Sequence, residues 1–137
     1  MAKRTLVIVE DSEQVRQRIR KTLESQNDIV IAGEAADVDT AISLIDSLDP
    51  DLVTLDIRLD DGGNGLDVLR YIRESGKRPH VVVLAFNFNQ QYLPADLAAC
   101  AARVLDKVTD FEQLPAALAT ANAPDGNAEL LRQPCAP

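Results

Sequence analysis

Apolar residues alternate along the chain between two rhythms. Short, nearly unbroken runs of strand length recur at "TLVIV" (5–9), "DIVIAGEA" (28–35), "LVTLD" (52–56), "HVVVLA" (80–85) and "RVLD" (103–106). Between them the apolar positions space out to a helical period. Residues 12–25 carry Val15, Ile19 and Leu23 at four-residue steps, with Ser12 placed to cap the first turn. Residues 37–48 line up Val38, Ala41, Ile42, Ile45 and Leu48, and residues 65–76 align Leu66, Leu69, Tyr71 and Ile72 before Gly76. A poorer helix over 90–102 contains Pro94, which predicts a late start near Ala95 or a partly unwound helix. The last helix, over 110–121, contains Pro115, which is tolerated only in a first turn.

Five repeats of strand then helix, with strands apolar on both faces, predict a parallel sheet covered on both sides. Right-handed crossovers make the economical topology an α/β, doubly wound, flavodoxin-like sandwich of five strands. Residues 1–121 form the expected domain. Residues 122–137, with three prolines and no sustained apolar period, are expected to form a flexible tail.

Composition narrows the function classes. A chain of 137 residues that is 46% hydrophobic and 26% charged has the balance of a single globular domain. A net charge of −8 argues against a nucleic-acid surface, which would need a basic patch. The basic start, Met1 to Arg4, is followed by too short an apolar run for a signal peptide, and no segment has membrane-spanning length. Cys100 and Cys135 lack metal or framework spacing and are expected to be reduced thiols, which fits the cytoplasm.

In a doubly wound sheet, ligands gather outside the carboxyl ends of the strands. There the sequence places Glu10 and Asp11 after the first strand, Asp56 at the end of the third, Ala85 at the end of the fourth, and Asp106-Lys107 after the fifth. Single acids at strand ends are ordinary, but several converging on one rim repel one another unless a cation holds them. Mg²⁺ suits the purpose, because it takes oxygen ligands, needs only one or two carboxylates and keeps several waters. Lys107 adds a compact charge able to grip a phosphoryl oxygen.

These residues resemble the receiver domain of two-component response regulators over roughly residues 4 to 121. "VIVEDSEQVRQRIRKTLES" resembles the family's first strand, acidic pair and first helix, "DLVTLDIRL" its phosphoacceptor strand, and "VLDK" before "VTDFEQL" its lysine loop. The nearest likeness is to small, stand-alone receivers whose ending lacks the more usual Lys-Pro. The resemblance implies the strand order 2-1-3-4-5 and Asp56 as phosphoacceptor. It implies Mg²⁺ held by Glu10, Asp11, Asp56 and the backbone carbonyl of Arg58, with Lys107 bound to the phosphoryl group. It also implies a histidine kinase or histidine phosphotransferase as donor and a downstream protein as recipient of the signal, with neither nucleic acid nor membrane as a partner.

The chain departs from the family at both switch positions. Ala85 stands where a Thr or Ser hydroxyl usually closes on the phosphorylated aspartate, and Val104 where an aromatic residue usually follows it. Phe86 is bulky where a small residue is common. The loop "RLDDGGNGLD" has Asp60 in place of a common proline, and its Gly65 arrives about one residue late. Pro94 places any dimer face built on the fourth helix in doubt. Arg16, Arg20 and Arg18 make a basic stripe on the first helix, read as a solvated face or as a docking surface for the donor. His80 and Cys100 read as structural.

Three further readings are weighed. A phosphorylation-independent pseudo-receiver, acting as a protein-binding module, is favoured by Ala85 and Val104 and opposed by the intact acids and Lys107. An aspartate-based phosphatase would need a second aspartate at position 58, which is Arg, and a flavodoxin would need a phosphate loop after the first strand.

Overall fold

The computed structural model describes residues 3–59, 63–85 and 94–119. The elements run β1 (Arg4–Val9), α1 (Glu13–Leu23), β2 (Ile29–Ala35), α2 (Val38–Leu48), β3 (Leu52–Asp56), α3 (Gly65–Ser75), β4 (His80–Ala85), α4 (Ala95–Ala98), β5 (Arg103–Asp106) and α5 (Leu114–Ala119). The strands form one parallel sheet in the order β2-β1-β3-β4-β5. The crossover between β1 and β3 creates a switch point there, which is where such sheets collect ligands.

Each face of the sheet buries its own layer. On one side Val7, Val53, Leu55, Val81 and Val83 meet α2, α3 and α4 through Ile45, Leu69, Ile72 and Leu97. On the other Leu6, Ile8, Leu52, Val82 and Leu84 meet α1 and α5 through Ile19, Leu23, Leu114 and Leu118. Strict alternation along each strand divides the two sets, as the period-2 pleat requires.

Local chemistry sets the helix ends. The Ser12 hydroxyl accepts from Val15 N–H, and the Asp37 carboxylate from Thr40 N–H, so both act as N-caps. Asp49 and Gly76 close α2 and α3 in the left-handed region, at φ 46° and 77°. The helix expected over 110–121 divides into a 3₁₀ turn, Phe111–Gln113, and then α5. Pro115 thereby falls in the first turn of α5, where its missing N–H has no intrahelical partner to lose. Of the helix expected over 90–102, the described residues 94–102 hold the single turn Ala95–Ala98, directly behind Pro94, which agrees with the expected late start near Ala95. Its expected beginning lies outside the described residues.

The far end of α5 is tied to the strands. Arg4 Nη1 donates to the Leu118 carbonyl at 2.8 Å, and His80 Nε2 lies 3.1 Å from the Ala117 carbonyl. Both satisfy last-turn acceptors, in keeping with a structural His80. Cys100 is buried but is engaged in a disulfide, which corrects the expectation of a free thiol there. The sequence separation of the two cysteines has no recognisable framework, so nothing in the pattern signalled a bridge. Cys135, with the rest of the expected tail, lies outside the described residues. Among the described residues, no helix is long and apolar enough to cross a membrane.

Candidate functional site

The carboxyl ends of β1, β3 and β5 bring the predicted side chains together. Glu10 and Asp11 leave β1, Asp56 ends β3, and Lys107 follows β5. Glu10, Asp11 and Asp56 each present a carboxylate oxygen within 4.8 Å of the others. The Lys107 ammonium lies 2.5 Å from Glu10 Oε1 and 3.1 Å from Asp56 Oδ2. Glu10, Asp56 and Lys107 are almost fully buried, at 1%, 6% and 4% exposure, so their charges are largely withdrawn from water.

Burial dominates the electrostatics. It pushes the Glu10 carboxyl up to about 7, helped by a hydrogen bond with Asp11 and by repulsion from Asp56, while Lys107 and the Ser12 amide pull it down. Burial also raises Asp56, opposed chiefly by Lys107 and then by its hydrogen bonds with Glu10 and the Arg58 amide. The single ammonium does not offset the burial of these carboxylates.

The donor set fits a hard divalent cation, since it consists of carboxylate oxygens at close range. The Arg58 carbonyl remains compatible with this set. Arg58 and Asn64 form an isolated antiparallel bridge whose hydrogen bonds come from the flanking pairs, Gly65 N–H to the Ile57 carbonyl and Leu59 N–H to the Gly63 carbonyl. The bridge therefore does not use Arg58's own carbonyl, and the Arg58 N–H donates to Asp56 Oδ1 at 3.2 Å. Gly65 brings α3 close behind the site: a Cβ there would collide with the Asp56 carbonyl and with Ile57 Cα. This close approach explains the closing glycine, whatever its register in the loop.

Ala85 and Val104 occupy the expected switch positions. Ala85 pairs with Asp106 across β4 and β5, and its carbonyl accepts from the Lys107 N–H at 2.9 Å. Val104 pairs with Val83 and packs on the face that carries α2, α3 and α4. Neither side chain can donate a hydrogen bond. Phe86, Asp60 and Asp61 lie outside the described residues.

Sequence reasoning missed how the site is supported. Arg16 Nη1 donates to the Glu10 carbonyl at 2.6 Å, and Ser12 N–H to Glu10 Oε2 at 3.1 Å. Arg16 also pairs with Glu13 and Glu34, and Arg20 reaches Glu34 at 2.5 Å and Glu13 at 2.9 Å. The basic stripe is thus largely neutralised by its acidic neighbours, and Arg20 and then Arg16, by hydrogen bonding to it, hold Glu13 below its usual value. Arg18 turns elsewhere and lies over the Phe111 ring, 4.0 Å from its centroid. The acids of α1 and β2 that face this stripe were the available signal.

Comparison with known proteins agrees with the geometry. Over 119 residues the chain is 31% identical to the nitrate/nitrite response regulator protein NarL of Escherichia coli K12, covering 87% of this chain and 55% of that protein. It thus spans about half the length of that curated relative. The isolated receiver domain of RcsB from Salmonella enterica serovar Typhimurium, solved with phosphomimetic BeF₃⁻, superposes with a TM-score of 0.78 at 25% identity, covering 96% of this chain and 99% of that one. The signal receiver domain of a LuxO repressor protein from Vibrio parahaemolyticus shares the fold, with a TM-score of 0.76 at 22% identity over 93% of this chain and 94% of that one. Residues 6–119 match the response regulator receiver domain as a family, and the chain belongs to it.

Proposed function

We propose that this receiver accepts a phosphoryl group on Asp56 from a histidine kinase or histidine phosphotransferase, in a Mg²⁺-dependent reaction. The observation that carries the reading is the position of Asp56. It is buried at the end of the central strand, 3.1 Å from Lys107 Nζ and within 4.8 Å of the Glu10 and Asp11 carboxylates. An Asp56 oxygen attacks phosphorus, the bond from phosphorus to the donor nitrogen breaks, and an acyl phosphate results. Phosphoryl transfer of this kind needs little covalent help and depends on positioning and charge neutralisation. Glu10, Asp11, Asp56 and the Arg58 carbonyl would hold Mg²⁺, which when bound neutralises charge on the phosphoryl oxygens. Lys107 binds the transferred group, and the Arg58 amide orients the nucleophile. The RcsB receiver of the same fold, at a TM-score of 0.78, was solved in the presence of phosphomimetic BeF₃⁻.

The receiver acts as a switch rather than as an enzyme, and its signal leaves through contact with another protein. A net charge of −8 favours a protein partner over nucleic acid for this domain. A histidine kinase or phosphotransferase as donor supports a cytoplasmic location. The Cys100 disulfide argues against that location, because reducing compartments keep such bridges open. Alkylation of thiols in intact cells decides between them.

Intact-mass measurement after incubation with Mg²⁺ and phosphoramidate tests the central proposal. The native chain should gain one phosphoryl increment, and Asp56→Asn should gain none while remaining folded. The second reading, a protein-binding module independent of phosphorylation, is favoured by the absence of a hydroxyl at Ala85 and of an aromatic ring at Val104. It predicts no increment for either protein.

A further inference from the structure

We infer that Asp106, supported by Asp110, is the positioning residue for Lys107. The geometric claim stands alone, while its consequence for phosphorylation rests on the function proposed above. The lysine loop has no apolar anchor of its own. Val108 is 68% exposed, Thr109 is exposed, and the next buried side chain is Phe111 at 3%. Nevertheless the ammonium must be delivered to two buried carboxylates on other strands. Hydrogen bonds supply the missing constraint.

Asp106 Oδ1 accepts from two successive amides, Val108 N–H at 2.7 Å and Thr109 N–H at 3.1 Å. Asp110 Oδ2 accepts from the Asp106 N–H at 3.0 Å, and the Asp110 N–H donates back to the Asp106 carbonyl at 3.0 Å. Lys107 sits inside this reciprocal clasp, its own N–H bonded to Ala85 in the β4–β5 ladder at 2.9 Å. One carboxylate thus fixes the backbone on the far side of Lys107 while the sheet fixes it on the near side. An acceptor reached by two consecutive N–H groups is an Asx-type turn, which competes well with open loop conformations.

The clasp also accounts for the missing Lys-Pro. A proline at 108 would have no N–H, and the shorter of the two bonds to Asp106 could not form. A turn fixed by proline and a turn fixed by Asp106 are alternative solutions, and this chain uses the second. The residue after Lys107 is therefore free to be valine because the restriction on the backbone comes from the residue before it.

The test measures phosphoramidate labelling rates of the full chain with Mg²⁺ for Asp106→Ala and Asp106→Asn, each alone and combined with Lys107→Ala. Asp106→Ala should slow labelling on the order of tenfold or more, the scale of a misplaced transition-state group. Asp106→Asn keeps the acceptor oxygen and should stay within about twofold of the native rate. In the Lys107→Ala background Asp106→Ala should have no further effect, because the two residues act through one group. An equal loss in both backgrounds, or no loss with Lys107 present, overturns the inference.

A second readout does not need phosphorylation. The Lys107 ε-methylene resonances of the unmodified protein should move to the position of exposed lysines in Asp106→Ala and stay in place in Asp106→Asn. Unmoved resonances overturn the inference even if rates fall. Moved resonances in a protein that never takes a phosphoryl group leave the positioning intact and remove the phosphoacceptor reading instead.

Discussion

Glu10 Oε1 and Lys107 Nζ lie 2.5 Å apart, both almost wholly buried, with Asp56 Oδ2 3.1 Å from the same ammonium. Lys107 is therefore the internal counter-ion of the acidic cluster. Burial is the main cause of the elevated Glu10 carboxyl, at about 7, with the Asp11 hydrogen bond and repulsion from Asp56 adding to it and Lys107 only partly offsetting them.

That elevation sets a pH dependence in the absence of divalent cations. The folded carboxyl is raised from 4.5 to about 7, so its contribution to stability is complete below pH 4.5. It is lost as pH rises toward 7, because the folded state then gives up a proton that it holds more tightly than the unfolded chain. Glu10→Gln cannot lose that proton. Denaturant melts in EDTA should show the native chain falling relative to Glu10→Gln between pH 5 and 7.5, by on the order of 1–3 kcal/mol. A difference that stays flat across this window rules out the assigned elevation.

Mg²⁺ should reverse the penalty. A cation that binds only the folded state stabilises it by mass action, by about 2.7 kcal/mol at one hundred times its Kd. Its benefit should grow with pH as Glu10 ionises. Asp11→Asn removes one donor of the cluster and should shrink the rise in melting temperature. A melting temperature independent of Mg²⁺ at pH 8 would remove the metal site.

The parallel, doubly wound sheet and the convergence of Glu10, Asp11, Asp56 and Lys107 on one rim were legible because they depend on period and on strand ends, whereas the strand order was implied by the family resemblance. Each apolar run states where a strand stops, and the topology brings those stops to one rim. The supports were not legible. The Arg16 bond to the Glu10 carbonyl, the Glu34 contacts that neutralise Arg16 and Arg20, and the Asp106 turn depend on loop and side-chain geometry, which has no period. The division of the expected final helix into a 3₁₀ turn and then α5 escaped for a similar reason. Helical spacing of Leu114 and Leu118 is the same whether or not Phe111–Gln113 is wound more tightly.

Thr54 is a cost carried inside the central strand. It stands between Ile8 and Val82, is 1% exposed, and among the described residues its Oγ1 has no hydrogen-bond partner. A buried hydroxyl without a partner gives up its hydration for nothing. Thr54→Val keeps the shape and removes the unsatisfied group, so it should stabilise the fold by about 1 kcal/mol. Equilibrium unfolding measures this, and destabilisation by Val would show that the hydroxyl is satisfied in solution.

The weakest link from Asp56 to the rest of the molecule lies at Ala85 and Val104. A ligand shifts an equilibrium only through interactions that differ between the two states. Without a hydroxyl at position 85, a phosphoryl group lacks one charge-assisted hydrogen bond with the end of β4, worth about 1.5–3 kcal/mol. Val104 packs against the core beside Val83 and offers no ring to move in response. Amide shifts on adding beryllofluoride should therefore concentrate at Ile57–Leu59 and Leu105–Val108 and remain small at Arg103 and Val104. Ala85→Thr should restore the missing donor and extend the perturbation along β5. Large shifts through β5 in the native protein would show that Asp56 is coupled to this edge by another route. The output would then be a change of shape rather than the phosphoryl charge itself, displayed at the rim for a partner to read.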